Sequence, residues 1–158
     1  MHRCLSILLL LALLAPACSR RDGSSRWISQ AREANLEADR AIRRGDGESA
    51  RKALVASLEQ PVPDTVNPRD SRMVKQDMCF RLSLVEMEAK QPEKALEWAK
   101  KGLSLGRQQD LFTANLYVAM GGAHEALGLE VQAAEAYHQA LKINETLLNQ
   151  TLENEETP

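Results

Sequence analysis

Histidine, aromatic residues and cysteine are all scarce in this chain, and each scarcity closes a class of function. The 158 residues include 3 His and 3 Cys, with only 4% aromatic residues. Three cysteines give no disulfide framework here, because Cys4 and Cys18 lie in or beside an N-terminal export segment and leave Cys79 alone. Cys79 falls on the apolar face of a predicted helix and reads as an inert buried thiol; a reactive or cross-linking thiol is the alternative. Beyond the export segment the histidines are His124 and His138, on different predicted helices, with no third residue at ligand spacing. His124-Glu125 is not a zinc motif, because the residue four after His124 is Gly128. No Gly-rich phosphate loop follows a strand, and no Cys–His arrangement offers a nucleophile. The expectation is a protein that is not an enzyme and holds no metal or cofactor. Alternating Val/Ile/Thr runs are absent, so nothing reads as a sheet and the fold class is all-α. A net charge of −2 lacks the basic surplus that nucleic-acid binding needs. No apolar run reaches the ~20 residues that span a bilayer.

The N-terminus carries an address. A short basic start, an apolar run from Leu5 to Ala15 and small residues before a cut are export features. Leu14-Ala15-Pro16-Ala17-Cys18 resembles the lipobox of bacterial lipoproteins, which implies removal of residues 1–17 and lipidation of Cys18. An ordinary secretory cut that leaves Cys18 as a free thiol, or an uncleaved anchor, are the alternatives. Several hydrocarbon tails at about 0.8 kcal/mol per buried CH₂ would hold such a chain on a membrane. Arg20, Arg21 and Arg26 would then lie against anionic headgroups. Ser19 after the Cys resembles sorting to the outer membrane, facing the periplasm. Residues 18–26 read as the lipidated Cys and a polar tether. Asn144-Glu145-Thr146 and Asn149-Gln150-Thr151 match glycosylation sequons, but only for a eukaryotic secretory route.

From there the apolar period is 3.6. Successive stripes are Ile28, Ala31, Ala34, Ala38 and Ala41; Ala50, Ala53, Leu54 and Leu58; Cys79, Leu82, Val85, Glu86 and Ala89. The next are Ala95, Leu96, Ala99 and Leu103; Leu116, Tyr117, Met120, Ala123, His124 and Leu127; Ala133, Ala134, Tyr137, Ala140, Leu141 and Asn144. Gly45-Asp46-Gly47, Lys90-Gln91-Pro92 and Gly128 separate members of pairs. Pro61, Pro63 and Pro68 mark residues 61–72 as a loop. Six helices thus form three hairpins, over residues 27–60, 73–109 and 113–147, with an acidic frayed tail over 148–158. The front is mildly basic and the back acidic: Arg20 to Lys52 holds nine basic and six acidic residues, whereas Glu125 to Pro158 holds seven Glu and one cation. The simplest reading of both is a solvated helix face.

The last hairpin resembles a tetratricopeptide repeat in Tyr117, Met120-Gly121, His124, Gly128, Ala133, Tyr137 and Ala140. His124 stands where Tyr is usual, and Glu145 where Pro is common. Residues 76–109 look like a second copy and residues 31–60 like a weaker third. Their spacings of 45 and 38 residues (Ala50 to Ala95 to Ala133) exceed the family's ~34. The resemblance implies a short right-handed solenoid whose first helices line a partner-binding groove. By that analogy the groove residues are Asn35, Asp39 and Ile42, then Asp77, Phe80, Leu84 and Met87, then Asn115, Val118 and Gly122. Phe80, Leu84 and Met87 make a second apolar stripe, which implies a second contact surface or packing on the Pro-rich loop or another helix. The charge pattern that clamps a carboxylate terminus is missing, so the expected partner is an apolar or amphipathic segment of another protein. The expectation is a membrane-anchored adaptor or assembly factor of the bacterial envelope, similar to the small tetratricopeptide lipoproteins of secretin and pilus biogenesis. A structural protein that uses the second stripe to bind copies of itself is the rival.

Overall fold

Glycine and proline set almost every helix boundary. The computed structural model describes residues 15–155, with side chains for residues 23–154. Among the described residues are six helices and no strand: α1 (Ala15–Arg43), α2 (Gly47–Leu58), α3 (Pro68–Glu88), α4 (Pro92–Ser104), α5 (Leu111–Ala126) and α6 (Glu130–Glu155). Short polar side chains start three of them. Asp46 accepts from the Ser49 amide (3.0 Å), Asn67 from the Arg69 amide (2.8 Å) and Asp110 from the Thr113 amide (2.9 Å), each satisfying an N–H with no partner inside its helix.

Three boundaries differ from the sequence reading. Pro68, expected in a loop, begins α3, because the N–H it lacks has no intrahelical partner at a first turn. The expected tether, residues 18–26, is helical: no proline interrupts it, and Trp27 just beyond is buried. Helix α6 continues through Glu155 where a frayed tail was expected, with the hydroxyls of Thr146 and Thr151 donating back to Lys142 and Leu147. Residues 1–14, with most of the export segment, and residues 156–158 lie outside the described residues.

Each first helix ends in the same reversal. Gly45, Lys90 and Gly128 all adopt left-handed backbone, with φ of 73°, 58° and 72°. The next residue's amide then reaches back to the carbonyl five before it: Asp46 to Ala41 (2.9 Å), Gln91 to Glu86 (2.8 Å) and Leu129 to His124 (2.9 Å). This is the glycine-favouring turn that satisfies otherwise orphaned terminal carbonyls. Its three occurrences are 45 and 38 residues apart, the spacing of Ala50, Ala95 and Ala133.

Packing follows chain order. Each helix lies against the next, and α3 also packs against α5. Small residues allow the closeness: a Cβ on Gly102 would lie 2.5 Å from a Leu116 methyl and 3.0 Å from the Cys79 Cβ. At Gly121 the Tyr137 ring fills the space beside the helix, 2.5 Å from where a Cβ would stand. The core holds Ala31, Ala38, Ala41, Leu54, Leu58, Met78, Cys79, Leu82, Val85, Leu103 and Leu116. Glu86 is fully buried and paired with Arg51 on α2 through two bonds of 2.6 and 3.0 Å. Ser83 bonds the Ala95 carbonyl, tying α3 to α4.

Some stripe positions face outward. Ile28, Ala89, Ala134, Leu141 and Asn144 are exposed, and Tyr137 only partly covered, whereas Trp27, Ala136 and Ile143 are buried. In α6 two frames one residue apart have equal 3–4 spacing, and packing against α5 selects the frame of Ala133, Ala136, Ala140 and Ile143.

Lys90 holds a conformation that costs a non-glycine residue about 1 kcal/mol. Lys90→Gly is therefore expected to raise stability by about 0.5–1 kcal/mol, a gain of a few degrees in Tm for a chain of this length. A thermal melt checks it; an unchanged or lower Tm means the strain is relieved locally.

Candidate functional site

The first helices of the hairpins, α1, α3 and α5, carry all the expected groove residues, which fall into a polar part and an apolar part. At the α1–α3 junction the Asn35 amide donates to Asp77 (3.0 Å). Arg81 donates to Asp77 (2.9 Å) and to Asp39 (2.5 Å). The structure thus brings Asn35, Asp39 and Asp77 together and adds Arg81, which was not expected. The Asp77–Arg81 link was legible as an i, i+4 pair on one helix; the link to Asp39, 42 residues away, left no local trace. Burial pulls the Arg81 guanidinium down, but the hydrogen bonds and charges of Asp77 and Asp39 outweigh it and hold it above its ordinary value. Asp39 and Arg81, with Ile28, Leu36 and Val74, line a cleft of about 260 Å³.

Toward α5 the face becomes apolar and more open. Phe80 and Ile42 are half-buried and pack against the core, so they support the wall more than they present it. Leu84 and Val118 are exposed; Met87, Asn115 and Gly122 are half-buried. A Cβ on Gly122 would stand 3.7 Å from the Tyr137 hydroxyl, so Tyr137 walls the space beside it. That hydroxyl donates to Glu125 (2.9 Å). Burial, and then the Glu125 carboxylate, push its pKa up.

Cys79 is free and buried, its thiol pushed up to about 11 mainly by burial, which keeps it protonated and unreactive. Burial, and then the Lys100 charge, hold the His124 imidazole below its ordinary value; His138 is exposed. Among the described residues no group of three or more His, Cys, Asp or Glu is placed to hold a metal. No described helix is long and apolar enough to cross a membrane.

A larger cleft, about 750 Å³, opens beside the start of α3 between Arg69, Leu105 and Gln109. Its floor is a polar lock between the second and third hairpins. Arg72 bonds Asp110 (2.8 Å) and Gln76 (2.6 Å), and the buried Gln76 amide donates to the Gly106 carbonyl (2.8 Å). Burial raises the Asp110 carboxyl, but the Thr113 amide and Arg72 together hold it below the usual carboxylate range.

A lowered folded pKa contributes stability that is present above the unfolded value, about 4, and is lost as pH falls through the folded one. Asp110→Asn is expected to cost about 1–2 kcal/mol at pH 7 by weakening the cap and the ion pair. That gap should narrow steadily below about pH 4. Paired melts at pH 7 and pH 3 measure it; a gap independent of pH contradicts the assignment. In comparisons with known proteins, no protein-family model matches the chain and no curated protein matches it.

Proposed function

We propose that this chain is a lipid-anchored protein of the bacterial envelope in which a short solenoid of three tetratricopeptide-like hairpins grips an apolar or amphipathic segment of another protein. The reading makes it an adaptor or assembly factor, of the kind that serves secretin or pilus-type machines, and not an enzyme. The observation that carries it is the exposure of Leu84 and Val118 on α3 and α5, two helices that pack side by side. Exposed apolar side chains on adjacent elements form a surface that a partner's apolar residues can cover. The three identical reversals and the packing in chain order support the repeat reading, since repeat units bury their faces against neighbours. The Asp39–Arg81–Asp77 lock supports a groove whose wall is tied across α1 and α3 by polar bonds.

In this reading Cys18 carries the lipid, the mature chain begins three residues inside α1, and the basic start of α1 lies against the outer-membrane headgroups. The groove would then be held close to the membrane surface.

Leu84→Glu with Val118→Glu is the direct test, because both side chains are exposed and the fold should survive. Cross-linking in native membranes, followed by mass spectrometry, is expected to lose a partner that the unaltered chain captures. If circular dichroism is unchanged and every cross-linked partner remains, the groove reading falls. Separately, Cys18→Ser is expected to abolish incorporation of a labelled fatty acid and to release the chain from the membrane fraction. Retention of both would remove the anchor from the proposal.

A further inference from the structure

The second helices of the three hairpins do not share one fate. Leu58 on α2 and Leu103 on α4 are 7% and 3% exposed, within the core where α3 and α5 pack over those helices. Leu141 on α6 occupies the equivalent place, 38 residues after Leu103, yet it is 55% exposed. Among the described residues no following helix covers it. The uncovered face also runs well past the hairpin. Val131, Ala134, His138, Leu141, Glu145, Leu148 and Leu152 alternate spacings of three and four residues, and all seven are exposed. Such alternation, over about 33 Å of helix, is the seam pattern of paired helices.

We propose that this face of α6 pairs in antiparallel fashion with α6 of a second copy of the chain. The stripe is nearly symmetric about Leu141. A two-fold axis near that residue sets Val131 opposite Leu152 and Ala134 opposite Leu148, and brings His138 toward Glu145 of the other copy. Beside the seam the same axis sets Glu135 level with Leu147 and Leu148 and Glu130 level with Leu152 and Glu153, and it leaves Lys142 near its own copy. One patch meeting itself is the closed arrangement that two-fold dimers use.

Head-to-tail stacking is the geometric alternative, with α1 of one copy covering α6 of the next. Helix α1 is closed to it. Where α3 presents Met78, Leu82 and Val85, the residues 45 earlier on α1 are Glu33, Glu37 and Arg40. Arg40 pairs with Glu33 (3.2 Å) and Glu37 (3.4 Å), so an end-to-end stack would press ion pairs onto leucines. Pairing through α6 leaves Leu84 and Val118 free, and it stands or falls independently of the groove.

The experiment uses the full chain in mild detergent. Sedimentation is expected to give a dimer, and Leu141→Glu with Leu148→Glu a monomer with unchanged circular dichroism, its association weakened at least roughly tenfold. To fix the orientation, Cys4, Cys18 and Cys79 are replaced by Ser. In that background Leu141→Cys should form a disulfide with its own copy, and Val131→Cys should cross-link to Leu152→Cys but not to itself. A monomeric unaltered chain, a dimer that survives both Glu substitutions, or Val131→Cys cross-linking to itself each overturns the proposal.

Discussion

Each hairpin depends on one residue that can turn left-handed directly after its first helix. At Gly45, Lys90 and Gly128 the chain reverses with the same backbone bond, from the following amide to the carbonyl five residues earlier. That bond sets the angle at which the second helix leaves, and so decides which of its residues lie against the first. Two of the three positions are glycine, which adopts this backbone without a Cβ penalty. The third is lysine, which makes the middle hairpin the strained one. It is also the hairpin with the most buried polar ties, including Glu86 with Arg51, Ser83 with Ala95, and Gln76 with Gly102 and Gly106.

Alanine and glycine carry much of the packing that follows. Small side chains bury little area each, at about 25 cal/mol per Å², so the chain gains cohesion by bringing helices close and filling the remaining gaps with Leu54, Leu82, Leu116 and Tyr137. Gly102 and Gly121 are where that closeness is greatest. Because each helix touches mainly its sequence neighbours, the two ends of the row face different conditions. Helix α1 closes the front with charge. Helix α6 leaves the back apolar, and the same packing arrangement thereby yields one finished end and one that calls for a further helix.

The row of first helices is similarly divided. Near α1 its polar groups satisfy one another, so Asn35, Asp39 and Asp77 are committed to holding two hairpins together. Near α5 its apolar groups remain outside. Residue types that look equivalent along this row therefore do different work: a carboxylate with a guanidinium in reach becomes a strut, whereas Leu84, with no described helix above it, stays exposed.

The all-helical class, the three reversals and most of the buried stripe were legible in the sequence, because periodicity and breakers are local properties. So was the direction of Asp77 toward Arg81, four residues apart on one helix. The fate of Pro68, the frame of α6 and the exposure of Leu141 were not. Pro68 can end a loop or begin a helix, and the adjacent stripes of α6 have the same spacing. Leu141 matches Leu58 and Leu103 in type and place. What separates such alternatives is whether another helix arrives to cover a face, and only the assembled tertiary structure contains that fact.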